Sequence, residues 1–219
     1  MRKYTLPLAA AISVLVVPLS PAHAADDYRA PLAEAVDSLA VRAEGGRDGY
    51  SRSKFPHWKD ADSNGCDTRR EVLIAEATEP VKVGSGCKLN GGTWWSYYDD
   101  ITVSDSSKFD VDHVVPLAEA YDSGADQWSQ DRRERYANDL GESRALVAVS
   151  AKSNRAKADR DVAEWLPPSE GALCQYVTDW VTVKVRWGLA ADKDEADVLR
   201  KMAGGPCARQ EVQTTVVGS

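Results

Sequence analysis

The chain has 219 residues, with 27 Lys and Arg against 34 Asp and Glu, a formal net charge of −7 and four cysteines. This acidic balance excludes a protein that coats nucleic acid through bulk charge, so any such contact requires a local basic patch. The length allows one domain with a proper core, and no internal repeat or low-complexity tract breaks it up.

Arg2 and Lys3 precede an apolar stretch from about Leu6 to Leu19, and Ala22-His23-Ala24 then offers small residues, the pattern of a secretory signal cleaved before Ala25. Pro7, Ser13 and Pro18 interrupt that run, and it is shorter than the roughly 20 residues of a membrane span. The expectation is a signal over 1–24 and a secreted domain over 25–219 with no membrane contact. Taking 24 residues from 219 leaves 195, and losing Arg2 and Lys3 takes the net charge from −7 to −9. An even set of cysteines in an exported chain favours two disulfides. Of the three pairings possible for Cys66, Cys87, Cys174 and Cys207, Cys66–Cys87 with Cys174–Cys207 is preferred, because each closes a local loop. A zinc site lacks a Cys-x-x-Cys pair and histidines to complete it.

From Pro31 to Arg42, Leu32, Ala35, Val36, Leu39 and Ala40 recur at helical spacing, and Gly45-Gly46 end the element. A polar, turn-rich segment runs from Tyr50 to Gly65, and Cys66 to Glu76 reads as a capped helix stopped by Pro80. Val81 to Trp95, with four glycines, predicts a hairpin, and Ile101 to Val103 a further strand. A strand over Val111 to Val115, a helical insertion over Leu117 to Tyr121 and Trp128 to Tyr136, and a strand over Leu146 to Ser150 follow. Ser150 or Ser153 caps the next helix, placing Asn154 in its first turn and facing Asp112 and His113. Leu173 to Trp187 and Asp192 to Met202 predict two more helices, and the tail after Gln210 is expected to fray.

The run Phe109-Asp110-Val111-Asp112-His113-Val114-Val115-Pro116-Leu117 sets a hard oxygen ligand beside a histidine, and Ser153-Asn154-Arg155-Ala156-Lys157-Ala158-Asp159 adds an amide oxygen. These are the parts of a one-metal phosphodiesterase: oxygens for a magnesium-like cation and a neutral imidazole to take a proton from water. Both segments resemble the HNH (His-Me finger, ββα-metal) endonucleases, over about Ser107 to Pro168. Leu146-Val147-Ala148-Val149-Ser150 and Glu164-Trp165-Leu166-Pro167-Pro168 look like a branch of secreted HNH proteins related to the C-terminal domain of GmrSD-type restriction enzymes.

The resemblance implies an α+β fold, with a ββα-metal core embedded in a mainly helical single domain. It implies His113 as general base, Asp112 and Asn154 as ligands of Mg2+ or of Mn2+ or another divalent ion, and DNA as substrate. Lys152, Arg155 and Lys157 are the expected phosphate contacts, Arg160 a weaker one. His57 is expected as an ordinary loop histidine, and one of Arg69, Arg70 and Glu71 could line the groove. Many HNH proteins carry an asparagine shortly before the second strand that ties the loop together. Here Glu142-Ser143-Arg144-Ala145-Leu146 has none, Asn138 falls in the insertion, and Arg144 or the disulfides are the candidate braces.

With no sequence-reading module in view, low sequence specificity is expected, and a monomer is favoured. Two alternatives stand beside the DNA reading. One is the same chemistry on RNA or on both nucleic acids. The other is a non-catalytic exported glycan-binding or polymer-binding protein built on an aromatic edge of Trp94, Trp95, Tyr97 and Tyr98, while Trp165, Trp180 and Trp187 belong to the core.

Overall fold

The computed structural model describes residue 1 and residues 26–218, so the expected signal segment and its cleavage position lie outside the described residues. The chain opens with β1 (Asp27–Pro31) and α1 (Leu32–Ser38), then α2 (Thr68–Ala75) after a long loop. The strands β2 (Glu79–Val83), β3 (Leu89–Ser96) and β4 (Ile101–Val103) form an antiparallel meander. Next come β5 (Phe109–His113), α3 (Leu117–Asp122), α4 (Gln130–Ala137), β6 (Leu146–Ser150) and α5 (Ala151–Lys157). The chain ends with α6 (Leu173–Trp187), α7 (Lys193–Ala203) and β7 (Glu211–Thr215). Helices and strands are both present around one core with two disulfides, as the α+β expectation required.

The core runs continuously from Leu32, Val36 and Phe55 through Trp94, Tyr98, Phe109 and Val149 to Tyr176, Trp180, Trp187, Leu199 and Val212. β5 and β6 pair antiparallel with Asp112 opposite Val147 and His113 opposite Leu146, and α5 follows β6 directly. Ser150 makes that junction: its Oγ accepts the Ser153 N–H at 3.1 Å, satisfying one of the donors that a helix start leaves free. β5 begins two residues before the expected strand because Phe109 is fully buried and continues the inward alternation of Val111.

α6 is helical despite four valines and two threonines, because nearly all of it is buried, and tertiary packing outweighs intrinsic preference. Gly188 ends it at φ 65°, a conformation open to glycine. In its last turn Lys184, fully buried, donates to Glu119 at 2.9 Å and Glu195 at 2.7 Å, joining α3, α6 and α7. Cys66 bonds Cys87 and Cys174 bonds Cys207, the preferred pairing. The tail is ordered rather than frayed: β7 pairs antiparallel along the whole of β1, with Val212 and Thr214 turned inward. β1, near the other end of the chain, supplies the ladder hydrogen bonds that a lone five-residue strand lacks, and the exposed Arg29–Glu211 ion pair adds to the pairing.

Candidate active site

Alternation along β5 sends Asp110 and Asp112 to one face and Val111 and His113 to the other. Asp112 is 7% exposed, and its Oδ2 accepts from Tyr98 Oη at 2.7 Å and from Lys157 Nζ at 2.7 Å. Lys157, 0% exposed, also donates to the His113 carbonyl at 3.0 Å. Asn154, one turn earlier on the same face of α5, donates from Nδ2 to Asp110 Oδ2 at 3.2 Å. Two strand residues two apart therefore meet two helix residues three apart. The expected facing of Asn154 to Asp112 is shifted: Asn154 meets Asp110, and Lys157 meets Asp112.

Burial pushes the Asp112 carboxyl up, and the Lys157 ammonium and the Tyr98 hydroxyl oppose it. Burial likewise pushes Lys157 down against the pull of Asp112. Lys157, expected at substrate phosphates, is spent inside the protein on Asp112. Lys152 and Arg155 are exposed on α5, as is Arg160 just beyond it.

His113 is 5% exposed, and its Nε2 lies 2.9 Å from the Ala137 carbonyl at the end of α4. A carbonyl only accepts, so Nε2 carries the proton and Nδ1 keeps a lone pair. Burial drives the imidazole pKa from 6.5 down to about 3, with the Ala137 carbonyl opposing, so the ring is neutral at physiological pH. Trp58 lies 5.5 Å from the His113 ring, and His57 and Tyr136 each lie 6.4 Å away. His57 donates from Nδ1 to the Phe55 carbonyl at 2.8 Å and accepts from Arg52 Nε at 3.3 Å. These are the contacts of an ordinary loop histidine, as expected, and the loop that carries it sets Trp58 against the His113 ring.

That loop is held by Asn138, just past α4. Its Oδ1 accepts from Lys59 N at 2.9 Å and Thr68 Oγ1 at 2.8 Å, and its Nδ2 donates to the Pro56 and Glu134 carbonyls at 2.8 Å each. The bracing assigned to Arg144 or the disulfides is done here by an asparagine next to Ala137. Arg144 instead grips Glu142 through Nε and Nη2 at 2.7 and 2.8 Å. Arg69 donates to the Phe109 carbonyl at 2.8 Å and steadies the start of β5, while Arg70 pairs with Asp67.

From sequence, Asp110 and Asp99 have no role and Tyr98 is only part of the aromatic edge, not the partner of Asp112. Period-two alternation from Asp112 was a signal for Asp110; nothing local pointed to the other two. Asp99 accepts from Ser96 at 2.6 Å, Ser150 at 2.5 Å and Ser153 at 2.9 Å, tying the β3–β4 turn to the start of α5. The aromatic edge is dismantled by packing, since Trp94, Tyr97 and Tyr98 are buried and only Trp95 is exposed.

Asp110, Asp112 and Asn154 offer hard oxygens, which suit a divalent cation of the magnesium kind. Asp112 Oδ1 and Asn154 Oδ1 take no hydrogen bond from the described residues, so the donor set fits. Elsewhere Glu44, Asp161 and Asp192 bring ligand oxygens within 4.8 Å of one another.

A family model described as GmrSD restriction endonucleases, C-terminal domain, matches residues 89–202, which hold both strands of the site, α5 and Asn138. The chain is also 38% identical over 204 residues to a protein of Arthroderma benhamiae named "Uncharacterized secreted protein", a match covering 91% of this chain and 98% of the relative. The two disulfides and this likeness place the chain among secreted proteins. No solved structure matches it. The segments that carry Asp110, Asp112, His113 and Asn154 thus lie inside the matched region, and the chain belongs to the family of GmrSD restriction endonuclease C-terminal domains, a nuclease-type family.

Proposed function

We propose that residues 25–219 are one secreted HNH nuclease domain that hydrolyses phosphodiester bonds in DNA with low sequence specificity. The observation that carries this reading is His113, buried and neutral, with Nε2 committed to the Ala137 carbonyl and Nδ1 left as a base, on the strand that also bears Asp110 and Asp112. His113 Nδ1 accepts the proton of the attacking water, and the Ala137 carbonyl steadies the ring as it becomes charged. Asp112 and Asn154, joined by Asp110, would hold Mg2+ or Mn2+. When bound, the ion supplies a Lewis acid at the phosphate that offsets charge on the attacking and leaving oxygens. Lys157 and Tyr98 orient Asp112, and the exposed Lys152 and Arg155 contact flanking phosphates. Burial of Trp94, Tyr97 and Tyr98 counts against a glycan-binding edge.

The test is plasmid cleavage by the oxidised protein starting at Ala25, with magnesium or manganese, beside EDTA and His113→Ala of matched circular dichroism. Cleavage should vanish in EDTA and fall by ~10²- to 10⁴-fold in the variant, the usual weight of a general base. A matched RNA substrate runs in parallel. RNA cut in preference to DNA would replace the substrate, and no cleavage of either would sink the enzyme.

A further inference from the structure

Residues 60–71 read Asp60-Ala61-Asp62-Ser63-Asn64-Gly65-Cys66-Asp67-Thr68-Arg69-Arg70-Glu71. This is the spacing of a loop that wraps calcium: side-chain oxygens at positions 1, 3 and 5, glycine at 6, a backbone carbonyl at 7 and a glutamate at 12. The glycine, the amide and the carbonyl stand in register with the carboxylates, and that register carries the assignment rather than the number of acids.

Around this register the chain has the required context. α2 starts at Thr68, so Glu71 sits in its first turn and faces back to the loop. Asn64 Nδ2 donates to Glu71 Oε1 at 2.8 Å and to Asp62 Oδ2 at 2.9 Å, so Asn64 links positions 3 and 12 of the stretch. Asp60 folds over the turn, accepting from Asn64 N at 3.1 Å and Gly65 N at 3.0 Å. Gly65 takes φ 93°, which its lack of a Cβ permits.

A separate observation comes from position 7. Cys66 is 7% exposed and its sulfur is bonded to Cys87, yet its carbonyl accepts no hydrogen bond from the described residues. Buried carbonyls are nearly always paired, and a cation is one such partner.

The unit departs from the helix–loop–helix form in one respect: no helix enters it. Instead Thr68 N donates to the Lys59 carbonyl at 2.8 Å, and the Thr68 hydroxyl shares its one proton between that carbonyl and Asn138 Oδ1, closing the loop at its base and using up the side chain at position 9.

We propose that Asp60, Asp62, Asn64, the Cys66 carbonyl and Glu71 form a structural calcium site, separate from the proposed catalytic metal. Six to eight oxygens in a flexible loop suit Ca2+, whereas Mg2+ demands a tighter octahedron. A lone loop belongs with the extracellular modules that bind at ~10⁻⁴–10⁻³ M. Its base runs into Lys59 and Trp58, which reach Asn138 and the His113 ring, so calcium firms the segment that covers His113.

The experiment is calcium titration by calorimetry together with thermal melting in calcium, magnesium or EDTA, on the oxidised protein and on an Asp112→Asn/Asn154→Ala protein, whose proposed catalytic site has lost one carboxylate charge and its amide ligand. Expected are one Ca2+ per chain in both proteins, a higher Tm in calcium than in magnesium, and at least ~10-fold weaker binding in Glu71→Gln and Asp62→Asn. Both substituted side chains lie at the loop surface, and circular dichroism checks that the variants fold. Absence of calcium binding in the wild type, or equal binding in the folded Glu71→Gln and Asp62→Asn variants, overturns the proposal. The double variant separates this from the nuclease reading, because calcium binding there does not depend on catalysis.

Discussion

Replacement of Lys157 by methionine separates two roles for the same residue. If the side chain reaches substrate phosphate from the surface, its loss costs the fold within about ±0.5 kcal/mol and weakens nucleic-acid binding in a salt-dependent way. The structure places it at 0% exposure, 2.7 Å from an Asp112 carboxylate that is itself 7% exposed, and 3.0 Å from the His113 carbonyl. Methionine fills a similar volume but leaves the carboxylate with only the Tyr98 hydroxyl. Removing one partner of a buried ion pair costs about 3–5 kcal/mol, because the other charge stays buried without compensation. For a domain of this size that is a fall in Tm of roughly 6–20 °C. Urea unfolding of the oxidised protein in EDTA, followed by circular dichroism, measures it without any bound metal. The double variant Lys157→Met/Asp112→Asn should recover at least ~2 kcal/mol, since the neutral amide still accepts from Tyr98. A loss below about 1 kcal/mol, with a steep salt-dependent drop in DNA affinity, would refute the buried-pair account and return Lys157 to the phosphate.

Three further outcomes are expected. Asn138→Ala should cost about 2–4 kcal/mol, since it unpairs four groups at once, and should open residues 52–68 to proteolysis; a variant with an unchanged digestion pattern would remove Asn138 as the brace. Burial raises Asp179, 3% exposed, from 3.8 to about 7 against the opposing Tyr97 hydroxyl, so in the unfolded chain it ionises first and its stabilising contribution is lost as pH rises from about 4 to 7. Asp179→Asn should therefore match the wild type near pH 4 and exceed it at pH 8 by roughly 2–4 kcal/mol, and parallel Tm–pH curves would contradict this. Replacing Cys174 and Cys207 by serine opens a link spanning 33 residues between the start of α6 and the segment after α7, for an expected loss of about 3–4 kcal/mol; guanidinium unfolding reads it directly.

The sequence by itself determined whatever depends on near neighbours or fixed spacing. β6 and α6 occupy the expected residues, because the apolar run Leu146–Ser150 and the helical face of Leu173–Trp187 are complete within those segments. The disulfide pairing followed from loop length, and the Asp110-to-Leu117 run with Ser153-to-Asp159 marked the region of the site and its family. The spacing of residues 60–71 is equally local, whereas the contact between Asn64 and Glu71 depends on how the loop folds onto α2.

Tertiary structure alone decided which partner each side chain takes. Helical sequence places Asn154 and Lys157 on one face, but only the seating of α5 on β5 sets Asn154 against Asp110 and Lys157 against Asp112. Asn138 reads as part of an insertion until the loop from Pro56 to Thr68 folds back upon it. The last strand depends on β1 at the opposite end of the chain. Local spacing fixes which residues share a face, whereas hydrogen bonds and ion pairs across long separations are settled by the burial of the core, which no local pattern encodes.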